Sequence, residues 1–319
     1  MNRNSALYRF LKKCETPPSG KLFWLIISIF YNTFMVVLGR TLLLLLVKKH
    51  TTRQKFVVVP NFSTGDVLIL YRSFDLLSKC NSFSSPLVII EEHLSKLVET
   101  LGMGTAYALP AWQIIPICKT LLFVPEKYPD MIISWPWHFF DIRDINSSIL
   151  KMPPCRISQI TIDSIFQAPI MKGRSVILSP YEQSYSNYGE IQLPISFWRE
   201  LALDLKEIGF FVFTNCNGIN EYPIEATTQF YPKMEEVSGA VEYAGYCVSV
   251  RSGFTDWCSS ALSAKQVVLY PSKRYYNHFR MDAVWNRNDL MEVVYEVQEE
   301  KLRSLKQEII GYFSRGQMI

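Results

Sequence analysis

Two short stretches of this 319-residue chain carry residue types able to hold a phosphate or move a proton. The first is Asn61–Asp66, written NFSTGD. Ser63 and Thr64 bring hydroxyls, Gly65 lets backbone approach a ligand closely, and Asp66 places a carboxylate where a helix would open. The same carboxylate is equally suited to capping that helix, because Asp is a favoured N-cap residue. The second stretch is Arg251–Asp256, RSGFTD. Ser252, Gly253 and Thr255 offer backbone amides and hydroxyls to a diphosphate, and Arg251 adds a planar, permanently charged donor. The plainer reading is an arginine salt-bridged beside an ordinary strand–helix turn. On residue types alone both readings stand.

Each stretch follows an apolar run and precedes a helical pattern. Phe56–Pro60 (FVVVP) predicts a buried strand before the first, and Asp66–Ser78 a helix after it. Leu87–Ile90, Ala106–Leu109 and Met131–Trp135 predict further strands, with a helix near Leu94–Leu101. Asp141–Lys172, with Pro153 and Pro154 adjacent, reads as the region between domains. A second series follows, with strands at Ser175–Ser179, Phe210–Thr214, Cys247–Val250 and Gln266–Tyr270. Its helices are expected at Phe197–Ile208, Pro232–Ala244 and Thr255–Leu262, with one charged amphipathic helix over Asp289–Phe313. Strand–helix alternation of this kind implies parallel sheets covered on both faces. Ligands of such sheets bind at the carboxyl ends of the strands, beside helix N-termini. The expected division is a basic and apolar segment at 1–54, domains at 55–152 and 153–288, and a closing helix at 289–319.

Composition excludes several classes. Seven scattered cysteines form no CxxC pair, and four histidines show no HxH or HxxxH spacing. A disulfide framework, a zinc site or a histidine metal clamp is therefore not expected, and a reducing compartment fits better. The net charge of +4 is uneven. Residues 1–55 hold ten Lys or Arg against Glu15 alone, or +9, which leaves 23 basic and 28 acidic groups, or −5, for the rest. A mildly acidic body argues against nucleic acid as a partner. The positive end surrounds Leu22–Val47, an apolar run long enough to cross a bilayer. Its basic flanks lie on both sides, so the positive-inside rule assigns no orientation. A helix lying in one leaflet, with Arg40 snorkelling and both flanks on anionic headgroups, accounts for that pattern better than a span or a buried helix does. The aromatic group Trp135, Trp137 and His138 could stack on a sugar or line a core. Arg274, Tyr275, Tyr276, His278 and Arg280 could meet phosphate or form a solvated loop.

Three separated stretches resemble one family. FVVVPNFSTGDVLIL is similar to the opening of the heptosyltransferases, an apolar strand, a polar loop and then GD before an apolar helix. CVSVRSGFTDWCSSALSAKQVVLYPS looks like that family's donor-site segment, a strand followed by D-[ST]-G-x-x-H, a small-residue helix and a further strand. SVILSPY with PISFWRELALDLKEIGFFVFTN resembles the opening of its second domain. The likeness spans about residues 55–272. It implies a GT-B glycosyltransferase fold, with two Rossmann-like domains whose parallel sheets face a cleft, here with an N-terminal apolar membrane-associated helical segment.

The resemblance also implies chemistry. Asp66 matches the family's proposed catalytic base, and Ser252 and Gly253 match its donor-binding turn. Arg251 stands where the family has an acid, Asp256 where it has a histidine, and no lysine lies between Pro180 and Pro194 to match the family's loop lysine. RSGFTDW is also similar to a helix-opening segment of some bacterial fucosyltransferase-like enzymes, which leaves the sugar open. No DxD triplet occurs, so a diphosphate chelated through a metal is not expected, and no cofactor is implied beyond the nucleotide-sugar substrate. The expected partners are that donor, a glycan or lipid-linked acceptor and an anionic membrane at the cytoplasmic face. The alternatives are an epimerase-like GT-B enzyme and a catalytically silent scaffold.

Overall fold

The structure is a computed structural model. It describes residues 22–49, 56–59, 65, 67–68, 70–71, 74, 86–123, 131–133, 152–181, 191–216, 221–282 and 289–315. The chain divides into two compact units, Met1–Leu70 with Phe74–Phe139 and Tyr71–Ser73 with Phe140–Ile319.

The first unit opens on a long helix, α1 (Leu22–Lys49), apolar around its whole circumference. Strands β1 (Phe56–Val58) and β2 (Leu87–Glu91) follow, then helix α2 (Ser95–Thr100), strand β3 (Thr105–Leu109), helix α3 (Ala111–Phe123) and strand β4 (Met131–Ile133). All four strands are parallel, in the order β3-β2-β1-β4. Continuous apolar runs suit a sheet covered on both faces, and β1 is buried throughout. One cover is made by α1 and α3. Leu43 and Leu46 of α1 join Ile114, Ile117 and Leu121 of α3 over Phe56, Val58, Leu87 and Ile89.

Helix α3 lies in a stretch with no expected element, because Pro116 falls in its middle. An interior proline costs an isolated helix about 3 kcal/mol. Tertiary packing overrides that penalty here, since α1 runs antiparallel along α3. Lys119 Nζ donates to Asn32 Oδ1 at 2.7 Å, and Thr120 Oγ1 donates to the Val36 carbonyl at 2.9 Å. Gly39 makes the approach possible, for a Cβ there would lie 2.0 Å from the Pro116 carbonyl oxygen.

The second unit begins with helix α4 (Gln159–Ile165), inside the stretch read as interdomain. Then come β5 (Ser175–Ser179), α5 (Ile195–Glu207), β6 (Phe211–Asn215), β7 (Thr228–Phe230), α6 (Val237–Ala244) and β8 (Gly245–Val250). The series closes with α7 (Gly253–Trp257), β9 (Lys265–Tyr270), α8 (Lys273–Phe279), β10 (Leu290–Val294) and α9 (Glu299–Ser314). Six parallel strands stand in the order β10-β9-β8-β5-β6-β7. Read from the other edge this is the doubly wound order, in which the chain starts at β5, winds one way, then returns to wind the other from β8.

Besides α3 and α4, three further elements differ from the sequence reading. The expected helix over Asp289–Phe313 is a strand, β10, followed by the shorter helix α9. The β-branched run EVVYEV supplies an edge strand beside β9, while its glutamates supply a helix-like charge pattern. Strand β7 is too short for periodicity to reveal. Helix α8 occupies the stretch whose alternatives were phosphate contact and a solvated loop. The Ser272 hydroxyl caps it by accepting the Tyr275 N–H at 3.2 Å.

The extended segment before α4 is tied down by Glu236. Its carboxylate accepts the Ser158 N–H at 2.8 Å and the Thr161 hydroxyl. Gly239, one turn on, leaves room for the Arg156 backbone, whose carbonyl oxygen would lie 2.2 Å from a Cβ. Burial alone would raise the Glu236 pKa, but these hydrogen bonds and the nearby Lys233 hold it below its ordinary 4.5. A depressed carboxylate stabilises the fold above its unfolded pKa and loses that contribution as pH falls through its folded value. Glu236→Gln should therefore destabilise the protein by about 1.5–3 kcal/mol at neutral pH. It should also flatten the loss of stability below about pH 4.5. Urea midpoints at a series of pH values check both.

Candidate functional site

In a doubly wound sheet the crevice for a ligand opens at the carboxyl ends of the two strands where winding reverses. In the second unit these are β5 and β8. Strand β5 ends at Ser179 and β8 at Val250, directly before Arg251–Asp256. The sequence-predicted turn thus lies at the switch point of its own sheet. In the first unit the order β3-β2-β1-β4 puts the corresponding point beside β1, whose carboxyl end leads into Asn61–Asp66. Ser63, Thr64 and Asp66 lie outside the described residues. Gly65 is buried and helical, as are Val67, Leu68, Leu70 and Phe74, in keeping with the helix expected from Asp66 onward. Trp135, Trp137 and the loop containing most of Pro180–Leu193 also lie outside the described residues.

The Arg251 turn is built inward. Its guanidinium meets Asp256 in a bidentate pair, with Nη1 to Oδ2 at 3.0 Å and Nη2 to Oδ1 at 2.9 Å. Nη1 also donates to the Ser252 carbonyl at 2.7 Å, and Nε to the Phe279 carbonyl at 2.9 Å. Four of its five N–H groups therefore have acceptors among the described residues, and both partners are buried. Burial by itself would lower the arginine pKa, but the Asp256 charge raises it beyond its ordinary value, so the group stays charged. Thr255 is equally occupied. Its hydroxyl donates to the Val250 carbonyl at 3.1 Å and accepts the Ser252 N–H at 3.1 Å.

What remains at the edge of the sheet is Ser252, Gly253 and a polar pair that the sequence reading passed over. Ser252 Oγ is buried and faces the Thr255 N–H in a capping box, while its own hydroxyl proton has no acceptor among the described residues. The N–H groups of Gly253 and Phe254 open α7, where a helix supplies no internal acceptor. At the end of β6, Asn215 Nδ2 donates to Ser179 Oγ at 3.1 Å, while its Oδ1 is buried with no partner among the described residues. Polar residues closing the apolar runs SVILS and FVFTN were the available signal.

A second carboxylate braces the site from behind. Glu292 on β10 accepts the Tyr270 hydroxyl, the Met281 N–H at 2.6 Å and the Asp282 N–H at 2.8 Å. This pins the chain leaving α8, whose Phe279 carbonyl receives Arg251. The Tyr270 phenol is pushed well above its ordinary pKa by burial and by Glu292, against an opposing pull from Arg251, and so keeps its proton. Two of the described cysteines are poor nucleophiles. Burial pushes Cys118 up to about 12, and burial with Glu221 pushes Cys216 up to about 11.

The two Rossmann-type units and the polar turn at the switch point define a GT-B-type fold of the kind found in glycosyltransferases. Among solved structures, the chain is similar to the E. coli ADP-heptose lps heptosyltransferase II. The TM-score is 0.53 at 11% identity, over 83% of this chain and 100% of that one. It is also similar to the glycosyl transferase family 9 protein from Veillonella parvula DSM 2008, with a TM-score of 0.51 at 10% identity over 82% and 96%. At these identities the likeness is one of fold. No protein-family profile matches the chain, and no curated protein sequence matches it significantly.

Removing one partner of a buried ion pair strands a charge and costs about 3–5 kcal/mol, whereas replacing both with apolar groups of similar volume is far milder. Arg251→Met and Asp256→Leu should each lower stability by that amount, and the double variant Arg251→Met/Asp256→Leu should recover most of it. Denaturant unfolding of the two single variants and the double variant measures the coupling.

Proposed function

We propose that this protein is a glycosyltransferase that moves a sugar from a nucleotide-sugar donor to a surface polysaccharide or lipid-linked glycan acceptor. The observation that carries the reading is the RSG turn at the switch point of a doubly wound sheet, within a fold like that of a heptosyltransferase. The leaving diphosphate is held by the N–H groups of Gly253 and Phe254 and the hydroxyl of Ser252. Arg251, Thr255 and Asp256 belong to this donor site by fixing the shape of the turn. Fixed donors of this kind stabilise charge that develops as the donor bond breaks. Asp66 takes the acceptor hydroxyl proton as general base, and Ser63, Thr64 and Gly65 shape the acceptor side. The transfer is inverting, in keeping with a carboxylate acting as base toward the acceptor, and metal-independent, which the absence of DxD in the sequence supports. A hexose and a heptose both remain open as the transferred sugar.

The enzyme works at the cytoplasmic face of the inner membrane, attached peripherally or monotopically. The all-round apolar helix α1 supports the membrane attachment. A second reading, a silent scaffold of GT-B fold, is favoured by one observation: the arginine of the donor turn is spent on Asp256.

Thermal shift separates the two, because a ligand selective for the native state stabilises it by about 2.7 kcal/mol at a hundred times its Kd. A panel of nucleotide sugars should contain at least one that raises Tm, and none would do so for a scaffold. Asp66→Asn keeps size and hydrogen bonding but cannot accept a proton. It should leave that Tm shift intact while lowering turnover by roughly 10²–10⁴-fold. Full turnover in Asp66→Asn would leave Asp66 as a helix cap only.

A further inference from the structure

A helix that is apolar all round needs cover on every side. Among the described residues, helix α1 has it on one side only. Ser28, Met35, Gly39, Leu43 and Leu46 are buried, and at 3.6 residues per turn they form a single stripe against α3 and the sheet. On the opposite side Phe23, Ile26, Phe30, Phe34, Val37 and Leu44 are exposed, Phe30 to 73% and Phe34 to 63%. From Phe23 to Leu44 this second stripe runs roughly 32 Å at 1.5 Å per residue. Trp112, exposed to 59%, adds apolar surface on α3.

We infer that α1, backed by α3, is a monotopic membrane face that enters one leaflet of an anionic bilayer along its length without crossing it. This deepens the membrane attachment proposed above and does not depend on the transferase reading. Length alone would allow a span, since α1 has 28 residues. Its attachments do not. From Asn32 to Lys49 it is fastened to α3 and β3, through Lys119–Asn32, Thr120–Val36, Gly39 against Pro116 and Lys49 Nζ to the Tyr107 hydroxyl at 3.3 Å. Leu43 and Leu46 belong to the core over β1 and β2. An open sheet does not enter hydrocarbon, because its edge groups would go unpaired. Only the turns before Asn32 project past these fastenings, about 15 Å of helix against a hydrocarbon core about 30 Å thick.

The apolar stripe also continues to Leu44, level with the sheet, where a crossing helix has no lipid to meet. A helix lying flat uses the stripe over its whole length. The occupant follows from charge. Helices α1 and α3 contain no acidic residue, while Arg40, Lys48 and Lys49 are exposed on α1 and residues 1–55 carry +9. Basic side chains beside an apolar stripe snorkel to anionic headgroups.

The test uses the full chain with an epitope at each end, synthesised beside sealed vesicles of phosphatidylcholine and phosphatidylglycerol. The expected result is flotation with the vesicles and removal of both epitopes by external protease without detergent. Phe30→Asp/Phe34→Asp, both exposed positions, should reduce the floated fraction at least tenfold with circular dichroism unchanged. An N-terminal epitope protected until detergent is added means a span and overturns the inference. So does a chain that stays unfloated, whether as a monomer or as a dimer whose second copy covers the stripe. Nucleotide-sugar binding on the same samples reports separately on the enzyme reading.

Discussion

The guanidinium of Arg251 is the joint on which the carboxyl edge of the second sheet depends. It binds Asp256 at the start of α7, its own turn through the Ser252 carbonyl, and the last turn of α8 through the Phe279 carbonyl. Glu292 and Tyr270 then hold the chain just beyond Phe279. One planar cation thereby sets two helices against two neighbouring strands. A lysine could not replace it, having no planar fork to meet a carboxylate and a separate carbonyl together. The consequence for function is indirect. A permanently charged side chain is spent on making the turn rigid, so the ligand contact proposed there falls to backbone and hydroxyl groups.

The same economy of side chains appears in the first unit. Pro116 breaks the local rule for a helix interior, and Gly39 and Thr120 on either side of the contact absorb the disruption. The result is a close helix pair with one face committed to the sheet. Because α1 is apolar all round, satisfying one face leaves the other exposed. A purely structural need, covering a four-stranded sheet, thus creates a surface suited to lipid.

Much of this architecture was legible in the chain because buried parallel strands read as unbroken apolar runs. Phe56–Val58, Ser175–Ser179 and Gln266–Tyr270 fall in the observed strands. Legibility failed where local pattern and tertiary context conflict. Pro116 hid α3, and the glutamates of EVVYEV concealed β10 within an apparent helix. The placement of the RSGFTD turn was legible from strand-then-helix order. Which of its side chains turn inward was not, because the partner of Arg251 Nε is a carbonyl 28 residues away. Asn215 and Ser179 were missed for a related reason. Single polar residues closing apolar runs acquire meaning only when topology brings two strand ends together.

A chain that transfers sugar as proposed holds the diphosphate of its nucleotide-sugar donor at the turn after β8. Hydrogen exchange of the intact protein, with and without a nucleotide sugar that raises its Tm, tests it most directly. Slowed exchange is expected at the amides of Gly253 and Phe254, which lie beyond the Ser252 N–H already held by Thr255, with smaller protection at the ends of β5 and β6. A bound nucleotide sugar that leaves those amides unchanged and protects another region would contradict it.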